Sequence, residues 1–122
     1  MDNINKRINA VDEAYRRMAV IAVAIGFGVE EEDIESRNRR DRIAHARMTA
    51  YWLIRKGLGT PYEVIGLMFE RDHAGIIYGC RKIDTMLELG VATYNNNWSN
   101  EIKESRKRFS EFHTARVKTD VA

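Results

Sequence analysis

The amino-acid sequence predicts an all-α fold, a compact helical domain that contains a helix-turn-helix. Apolar residues recur at steps of three and four along most of the chain, and no segment alternates convincingly as a β-strand. The 122 residues include one proline and eight glycines, and 44% of them are hydrophobic, which is ordinary for a globular protein. A chain of this length supports one compact domain with a single core.

A long amphipathic helix, or two helices joined near Arg17, is predicted near the start of the chain. A left-handed C-terminal cap is expected in the stretch Gly26-Phe27-Gly28, where the helical pattern ends. The next residues, 29–35, are predicted to form a short acidic turn or a single helical turn. The apolar positions of the long helix are Ile4, Ile8, Val11, Tyr15, Met18, Ala22 and Ile25.

Residues 36–42 are too polar to bury and are predicted to form an extended arm, before the helical pattern resumes from about Asp41 to Gly57. Between Arg37 and Lys56 the chain carries seven cations and one anion, a local balance of +6 in a chain whose net charge is only +2. This asymmetry indicates one electropositive side, which is typical of proteins that bind a polyanion. A solvated, charged helix face is the alternative interpretation.

Two helices joined by a tight turn are predicted next. Residues 60–63, with the sequence Thr-Pro-Tyr-Glu, have the pattern of a capping box with proline at the first helical position. The short helix that they start ends at Phe69, and the turn at residues 70–71 leads to Asp72, the expected N-cap of the second helix. This arrangement is a helix-turn-helix, in which the first residues of the second helix meet base edges in the major groove.

The second of these helices, predicted over residues 72–89, has two different faces. One face is an apolar stripe, in which the single cysteine is expected to be a small buried core residue. The opposite face has small residues near its start and cations further along, as suits a helix that approaches a phosphate-lined groove. The stripe comprises Ile76, Cys80, Ile83 and Leu87, and the opposite face comprises Ala74, Gly75, Tyr78, Arg81, Lys82 and Thr85.

A last helix is predicted after a loop over residues 93–100, with Ser99 as its cap. Its cations extend the contacts with phosphate or keep the helix soluble, and the sequence leaves both alternatives open. The inward residues are Ile102, Phe109 and Phe112, and the outward cations are Lys103, Arg106, Lys107 and Arg108.

The motifs of catalysis and metal binding are missing from the sequence. Its three histidines lack the HExxH spacing, its single cysteine excludes an internal disulfide, and no Walker or GxSxG motif occurs. No apolar run is long enough to span a membrane, and the first fifteen residues are too polar for a signal peptide. We therefore expect a non-enzymatic protein without cofactor, metal or membrane partner. Its expected location is the cytoplasm, either associated with the nucleoid or encoded by a phage or plasmid in a bacterial host.

An uncommon combination of residues runs through the middle of the chain. It consists of Ile65-Gly66, Phe69, Arg71-Asp72-His73 and Cys80-Arg81-Lys82-Ile83, with Asp33-Ile34, Ser36, Arg39 and Arg47 upstream. Through these residues the chain resembles the C-terminal DNA-binding domain of the bacterial replication initiator DnaA. The resemblance implies a six-helix, Trp-repressor-like fold that binds a short asymmetric DNA duplex as a monomer. It assigns residues 1–90 to the DNA-binding domain and leaves 91–122 as a loop and a basic C-terminal helix.

The resemblance also implies roles for individual residues. From the arm of residues 37–42, Arg39 would enter the minor groove, and Arg47 would contact phosphate or a base edge. Asp72 would accept a hydrogen bond from cytosine N4, and His73 would donate one to a base edge. Two further cations of the helix would hold phosphates, and the arginine of the turn would contact the DNA backbone or brace the turn. The complete predicted set is Arg37, Arg39, Arg40, Arg47, Arg71, Asp72, His73, Ala74, Gly75, Tyr78, Arg81 and Lys82.

The chain departs from the family pattern at two places. Where the family usually has two glycines before Arg-Asp-His, this chain has Phe69 and Glu70, and where the family has two hydroxyl residues it has Ala74 and Gly75. Ala74 can still touch a thymine methyl group, whereas Gly75 has no side chain with which to donate or accept. A glycine inside a helix costs about 1 kcal/mol relative to alanine. We therefore expect the backbone at Gly75 and at Gly79 to approach DNA or a neighbouring helix closely.

Two functions follow from these observations. The first is a stand-alone, sequence-preferring protein that binds double-stranded DNA, with the recognition helix 72–89 in the major groove, and acts in replication control or transcription regulation. The alternative is a decoy or interaction module of the same fold that binds a replication protein and no longer reads DNA. RNA binding is a weaker third option, because the sheet and the GXXG loop of common RNA-binding modules are missing.

Overall fold

The computed structural model describes residues 8–89 and 98–121, with the side chains of 119–121 left out. These residues form six α-helices and no β-strand, which confirms the predicted all-α fold. The helices are α1 (Ala10–Phe27), α2 (Glu31–Glu35), α3 (Asp41–Leu58), α4 (Tyr62–Phe69), α5 (His73–Leu89) and α6 (Ser99–Val121). Within the described ranges, no helix is both long and apolar enough to cross a membrane.

Helix α1 begins and ends with strong caps. The Asn9 side chain accepts a hydrogen bond from the backbone N–H of Asp12 at 2.8 Å, and the Asp12 side chain accepts one from the Asn9 N–H in return. At the other end Gly28 takes a left-handed conformation with φ +65°, as the glycines of this stretch predict. The helix is continuous past Arg17, so it is one helix over its described length. Residues 1–7, which include Ile4, lie outside the described part of the chain.

The buried face of α1 differs from the predicted stripe. Val11 and Ile25, two positions of the predicted stripe, remain 46% and 48% exposed and lie outside the core. The cause is that α1 packs against both α3 and α6, which moves the buried face to the side that lies between these two helices. The residues that this face buries are Ala19, Val20, Ala22, Val23 and Phe27.

Helix α3 is the central helix, because α1, α4, α5 and α6 all contact it. Its buried residues include Ala46, Ala50 and Ile54. The Trp52 indole N–H donates to the Asp84 carboxylate of α5 at 2.8 Å. The helix runs one residue past its predicted end and is capped by Gly59 with φ +69°.

The predicted capping box at the start of α4 does not form. Pro61, with ψ 146°, occupies the N-cap position, no side chain caps the helix, and the Pro61 carbonyl accepts from Val64 and Ile65. Glu63 therefore stands at the second helical position, where it cannot complete the box with Thr60. The Thr60 carbonyl instead accepts from the Arg55 guanidinium at 3.2 Å.

Helix α6 packs along α1 through a close approach at Gly26. A Cβ atom on Gly26 would lie 2.8 Å from the Ser105 backbone nitrogen and 2.9 Å from the Glu101 carbonyl oxygen, so a larger residue would push the two helices apart. Ile102 and Phe109 are buried, as predicted. The helix begins at Ser99, with the Trp98 carbonyl accepting its first backbone hydrogen bond, so the cap position belongs to Trp98. The sequence predicts the end of α5 and the boundary between the DNA-binding domain and the C-terminal part of the chain within residues 90–97. These residues lie outside the described part.

Candidate nucleic-acid interface

The turn between α4 and α5 is built around Gly66. Glu70 takes a left-handed conformation with φ +53°, and its N–H donates to the carbonyls of Gly66 and Leu67. The Arg71 N–H also donates to the Gly66 carbonyl, at 2.8 Å. A Cβ atom on Gly66 would lie 2.7 Å from the Arg71 carbonyl oxygen. The tight turn therefore needs a glycine at this position of α4, and it ends the helix with a left-handed cap.

We predict that replacing Glu70 with glycine raises the free energy of unfolding by about 0.5–1 kcal/mol, because the left-handed conformation is strained for a residue with a Cβ atom. Urea unfolding checks this. The matched control is Glu63→Gly, an exposed glutamate within α4, which should lower the free energy of unfolding by about 1 kcal/mol. A loss of stability in Glu70→Gly would show that the glutamate side chain compensates for the strain.

The inner face of α5 is fixed on α3. Ile76, Cys80 and Ile83 are buried, and burial raises the pKa of the Cys80 thiol from 9.0 to about 11. The thiol is therefore protonated at neutral pH and behaves as a small core residue, as predicted. A Cβ atom on Gly79 would lie 2.9 Å from Met48 Cγ and 3.3 Å from Tyr51, so Gly79 allows α5 to approach α3 closely. This close packing confirms the expectation for Gly79 and fixes which face of α5 points outward.

The first turn of α5 is exposed. The Asp72 carbonyl accepts from the N–H groups of Gly75 and Ile76 at 3.0 and 3.3 Å, so Asp72 is the N-cap residue, as predicted. Its carboxylate lies 3.5 Å from the Ala74 nitrogen, at the outer limit of a hydrogen bond. His73 is also exposed. The polar groups of Asp72 and His73 thus stand at the solvent end of a helix whose opposite face is fixed in the core.

Further along α5, the outward face carries Tyr78, Arg81 and Lys82. Tyr78 is 62% exposed, and the Lys82 Nζ atom lies 5.8 Å from the centre of its ring, within the range of a cation–π contact. Arg81 is exposed. The predicted contact residues of α5 therefore share one face, with small residues at its start and cations one to two turns later.

The arm between α2 and α3 is held in shape by its own polar side chains. The Ser36 hydroxyl donates to the Asp33 carbonyl at 2.7 Å and accepts from the Asn38 N–H at 3.1 Å. The Asn38 side chain then accepts from the Arg40 N–H at 2.9 Å. These bonds restrain the backbone of the arm, whose exposed arginines are Arg37, Arg39 and Arg40.

The arm is shorter than the predicted stretch of residues 36–42. Asp41 and Arg42 belong to the first turn of α3, because the Arg40 carbonyl already accepts from the N–H of Ala44 at 2.8 Å. The Arg42 guanidinium donates to the Phe27 carbonyl at 2.6 Å and lies 4.7 Å from the Trp98 ring. Arg42 therefore joins helices within the domain.

Two guanidinium groups meet at the base of the arm, on the carbonyl oxygen of Ser36. The Arg47 Nη2 atom donates to it at 2.8 Å, and the Arg71 Nη2 atom donates to it at 2.9 Å. Arg47 also donates to the carbonyls of Asp33 and Ile34 at 2.9 and 2.8 Å, which are among the last carbonyls of α2. Burial lowers the pKa of the Arg47 guanidinium from its usual value.

The structure therefore brings the predicted residues together in two ways. The exposed arm and the outward face of α5 form one candidate surface, joined where Arg71 of the turn contacts the base of the arm. Arg47 and Arg71 brace this junction from within, and their direct contact with DNA stays a prediction. Sequence reasoning missed Ser36 as the shared acceptor, since any residue can supply a backbone carbonyl. Among the described residues, no cluster of side chains could hold a metal ion.

Comparison with known protein families identifies the family to which this helix-turn-helix belongs. The sequence profile described as "Bacterial dnaA protein helix-turn-helix" matches residues 19–83, which is more than half of the chain. The chain belongs to this family. The matched stretch runs from the middle of α1 through the arm and the turn into α5, so it includes the whole candidate surface up to Lys82. The bacterial DnaA helix-turn-helix is a DNA-binding domain, and such domains are typically non-enzymatic.

Three similar proteins are each named chromosomal replication initiator protein DnaA. The protein from Nostoc sp. is 31% identical over 107 residues, which cover 84% of this chain and 22% of the relative. The protein from Oleidesulfovibrio alaskensis is 37% identical over 62 residues, covering 51% of this chain and 13% of the relative. The protein from Porphyromonas gingivalis is 32% identical over 72 residues, covering 58% and 15%. The chain thus spans less than a quarter of the length of these DnaA proteins.

Proposed function

We propose that this member of the DnaA helix-turn-helix family is a stand-alone, sequence-preferring protein that binds double-stranded DNA as a monomer, in replication control or transcription regulation. One observation carries the proposal. Asp72 and His73 are exposed at the start of a helix whose opposite face is fixed against α3. In a helix-turn-helix, side chains at this position meet base edges in the major groove. Its site of action would be the bacterial cytoplasm.

The charges of the candidate surface support a phosphate partner. Arg39 of the arm and Arg81 of α5 are exposed, and within the described residues neither forms an ion pair. Cations without internal partners can neutralise phosphates and release the counterions of the duplex. In this proposal Arg81 and Lys82 hold phosphates and fix the register, which leaves sequence reading to the start of α5.

The fixed base of the arm supports a second contact, in the minor groove. Arg47 and Arg71 hold Ser36 beside the turn, so the arm leaves the domain next to the start of the recognition helix. From this position Arg39 would enter the minor groove next to the major groove that α5 occupies. An arginine there responds to groove width and to A·T content.

The first experiment is a fluorescence anisotropy titration with a random-sequence duplex at several salt concentrations. Because phosphate contacts displace counterions, we expect log K to fall linearly with log salt, with a slope of about −0.9 for each phosphate neutralised. Affinity that stays constant between low and moderate salt would contradict the proposal.

On a duplex selected from a random pool, Arg39→Ala and His73→Ala should each weaken binding by about 1–3 kcal/mol, because each removes a groove contact. The charge-matched control is Arg17→Ala, since Arg17 is exposed on α1 and outside the candidate surface. The measurement is the dissociation constant of each variant for the selected duplex. An equal loss in Arg17→Ala would show that affinity depends only on net charge.

The alternative function is an interaction module that binds a replication protein without reading DNA. It is favoured by Ala74 and Gly75, which place no hydrogen-bonding side chain on the exposed first turn of α5. Pulldown of replication proteins by the double variant Asp72→Ala/His73→Ala distinguishes the two functions. Partner capture that persists in this variant, together with no duplex binding by the unaltered chain, would favour the interaction module.

A further inference from the structure

The first half of α6 carries three exposed cations that form no ion pair within the described residues. A fourth cation, Arg108, lies on the other flank of the helix, where its guanidinium pairs with Glu104 at 2.7 Å and with Glu111 at 3.9 Å. Pairs of this kind stabilise a helix, so solubility alone gives no reason to keep cations apart from acids. The unpaired cations are Lys103, Arg106 and Lys107.

These cations belong to a longer polar stripe. With a period of 3.6 residues per turn, the same side of α6 also presents two hydroxyl residues and a further lysine, and it presents no acid. The stripe is about 22 Å long, at a rise of about 1.5 Å per residue. Lysine, arginine, serine and threonine are among the side chains that bind phosphate in protein–DNA complexes. We name this surface the cationic stripe, and its exposed residues are Lys103, Arg106, Lys107, Ser110, Thr114 and Lys118.

Arg106 connects the cationic stripe to the helix-turn-helix. Its guanidinium carbon lies 5.7 Å from the centre of the Trp52 ring, and the indole N–H of Trp52 donates to the Asp84 carboxylate at 2.8 Å. Asp84 lies on α5, one helical turn after Arg81, a residue that would hold phosphate in the proposed function. The stripe therefore begins beside the second half of α5, next to the candidate surface.

We propose that the cationic stripe binds the phosphate backbone of the duplex that α5 reads, on the flank of the site beside the second half of α5. Each strand of a duplex carries one phosphate for about every 3.4 Å of its axis, so a stripe of about 22 Å can follow several phosphates. The inference rests on the proposed DNA binding and adds a phosphate contact outside the helix-turn-helix. Because phosphates carry no sequence information, this contact would add affinity without changing the preferred site.

The burial pattern of α6 favours a duplex over a membrane surface as the partner. A helix that lies on a membrane inserts an exposed apolar face beside its cations. The apolar face of α6 is occupied within the fold, where Ile102 and Phe109 are buried. Among the described side chains of α6, Val117 is the one large hydrophobic residue that is exposed.

Duplexes of two lengths test the inference. The short duplex is the selected duplex trimmed to the shortest length at which Arg39→Ala and His73→Ala still weaken binding, and the long duplex adds about 10 base pairs, one helical turn, on each side. We expect the unaltered chain to bind the long duplex more tightly, with a steeper fall of log K with log salt. The triple variant Lys103→Gln/Arg106→Gln/Lys107→Gln should reduce this slope by about 2–3 units on the long duplex, at about 0.9 for each phosphate contact, and leave the slope on the short duplex unchanged.

A single substitution controls for folding and for net charge. Lys107→Gln removes one exposed cation that makes no ion pair, and glutamine has nearly the helix propensity of lysine, so the melting temperature should not change. On the long duplex the slope should fall by about one unit. The charge-matched control is Arg17→Gln on α1, outside the cationic stripe, which should change neither slope.

Hydroxyl-radical footprinting of the long duplex locates the contact. The unaltered chain should protect the backbone on one flank of the site, and the triple variant should lose this protection while still protecting the site itself. Three results would overturn the inference: equal slopes of the unaltered chain on both duplexes, flank protection that persists in the triple variant, or an equal effect of Arg17→Gln and Lys107→Gln. Absence of salt-dependent binding to either duplex would instead overturn the proposed function, and this inference with it.

Discussion

Gly66→Ala is expected to lower the free energy of unfolding by about 2–4 kcal/mol, one of the two largest effects that we predict. The added Cβ atom would lie 2.7 Å from the Arg71 carbonyl oxygen, which is a backbone atom and cannot rotate away. Relief of this clash requires the turn to open, which breaks the 2.8 Å hydrogen bond from the Arg71 N–H to the Gly66 carbonyl. Urea unfolding followed by circular dichroism measures the loss.

The matched control for Gly66→Ala is Gly75→Ala, the same substitution on the other helix of the motif. It should change stability in the opposite direction, because the space at Gly75 is open. Both variants should bind DNA less tightly, but for different reasons, since the first alters the angle between α4 and α5 and the second adds a methyl group to the face of α5 that would meet the duplex. Equal losses of stability in the two variants would contradict the steric difference between the two sites, because helix propensity favours alanine at both.

Arg47→Met is expected to lower the free energy of unfolding by about 2–4 kcal/mol, because it removes three hydrogen bonds from a charged donor and takes from the Ile34 carbonyl its side-chain donor. The guanidinium donates to the carbonyls of Asp33, Ile34 and Ser36 at 2.8–2.9 Å. Arg47→Lys should recover only part of this loss, since a single ammonium cannot reach all three acceptors in the same geometry. Urea unfolding of the two variants measures both effects.

DNA affinity measured on the same Arg47 variants separates bracing from direct contact. If Arg47 acts by fixing the arm, stability and affinity should fall together in Arg47→Met. A loss of affinity with unchanged stability would assign Arg47 a direct contact with the duplex. The control is Arg37→Met, an exposed arginine of the arm that makes no internal hydrogen bond among the described residues, and its stability should remain within about 0.5 kcal/mol.

The sequence predicted the buried residues best for helices that pack against the core through a single face. The stripe of Ile76, Cys80 and Ile83 on α5 was predicted correctly, because α5 packs on one side of the core and its solvent face is polar. The buried face of α1 differs from the predicted stripe, because α1 packs against two helices. A spacing pattern cannot show how many neighbours a helix has. Val11 and Ile25 belong to the predicted stripe but remain exposed for this reason.

The candidate surface was also predicted in part. The residues of the arm and of α5 could be chosen from charge, spacing and family resemblance, because exposed side chains of defined chemistry leave a pattern in the sequence. The partners of Arg47 and Arg71 could not be chosen, because they are backbone carbonyls brought close by the packing of α2, α3 and the turn. The predicted cap of α4 was also wrong. The extended conformation of Pro61 makes the helix start one residue later than predicted, and the sequence pattern does not show this conformation.

The shared carbonyl of Ser36 has a consequence for the thermodynamics of association. Because two guanidinium groups and the Ser36 and Asn38 side chains fix the base of the arm within the free protein, much of its conformational entropy is lost during folding. Less remains to be lost when a duplex is bound, which favours tighter association for the same set of contacts. The arm and the recognition helix should therefore engage the two grooves as one preorganised unit.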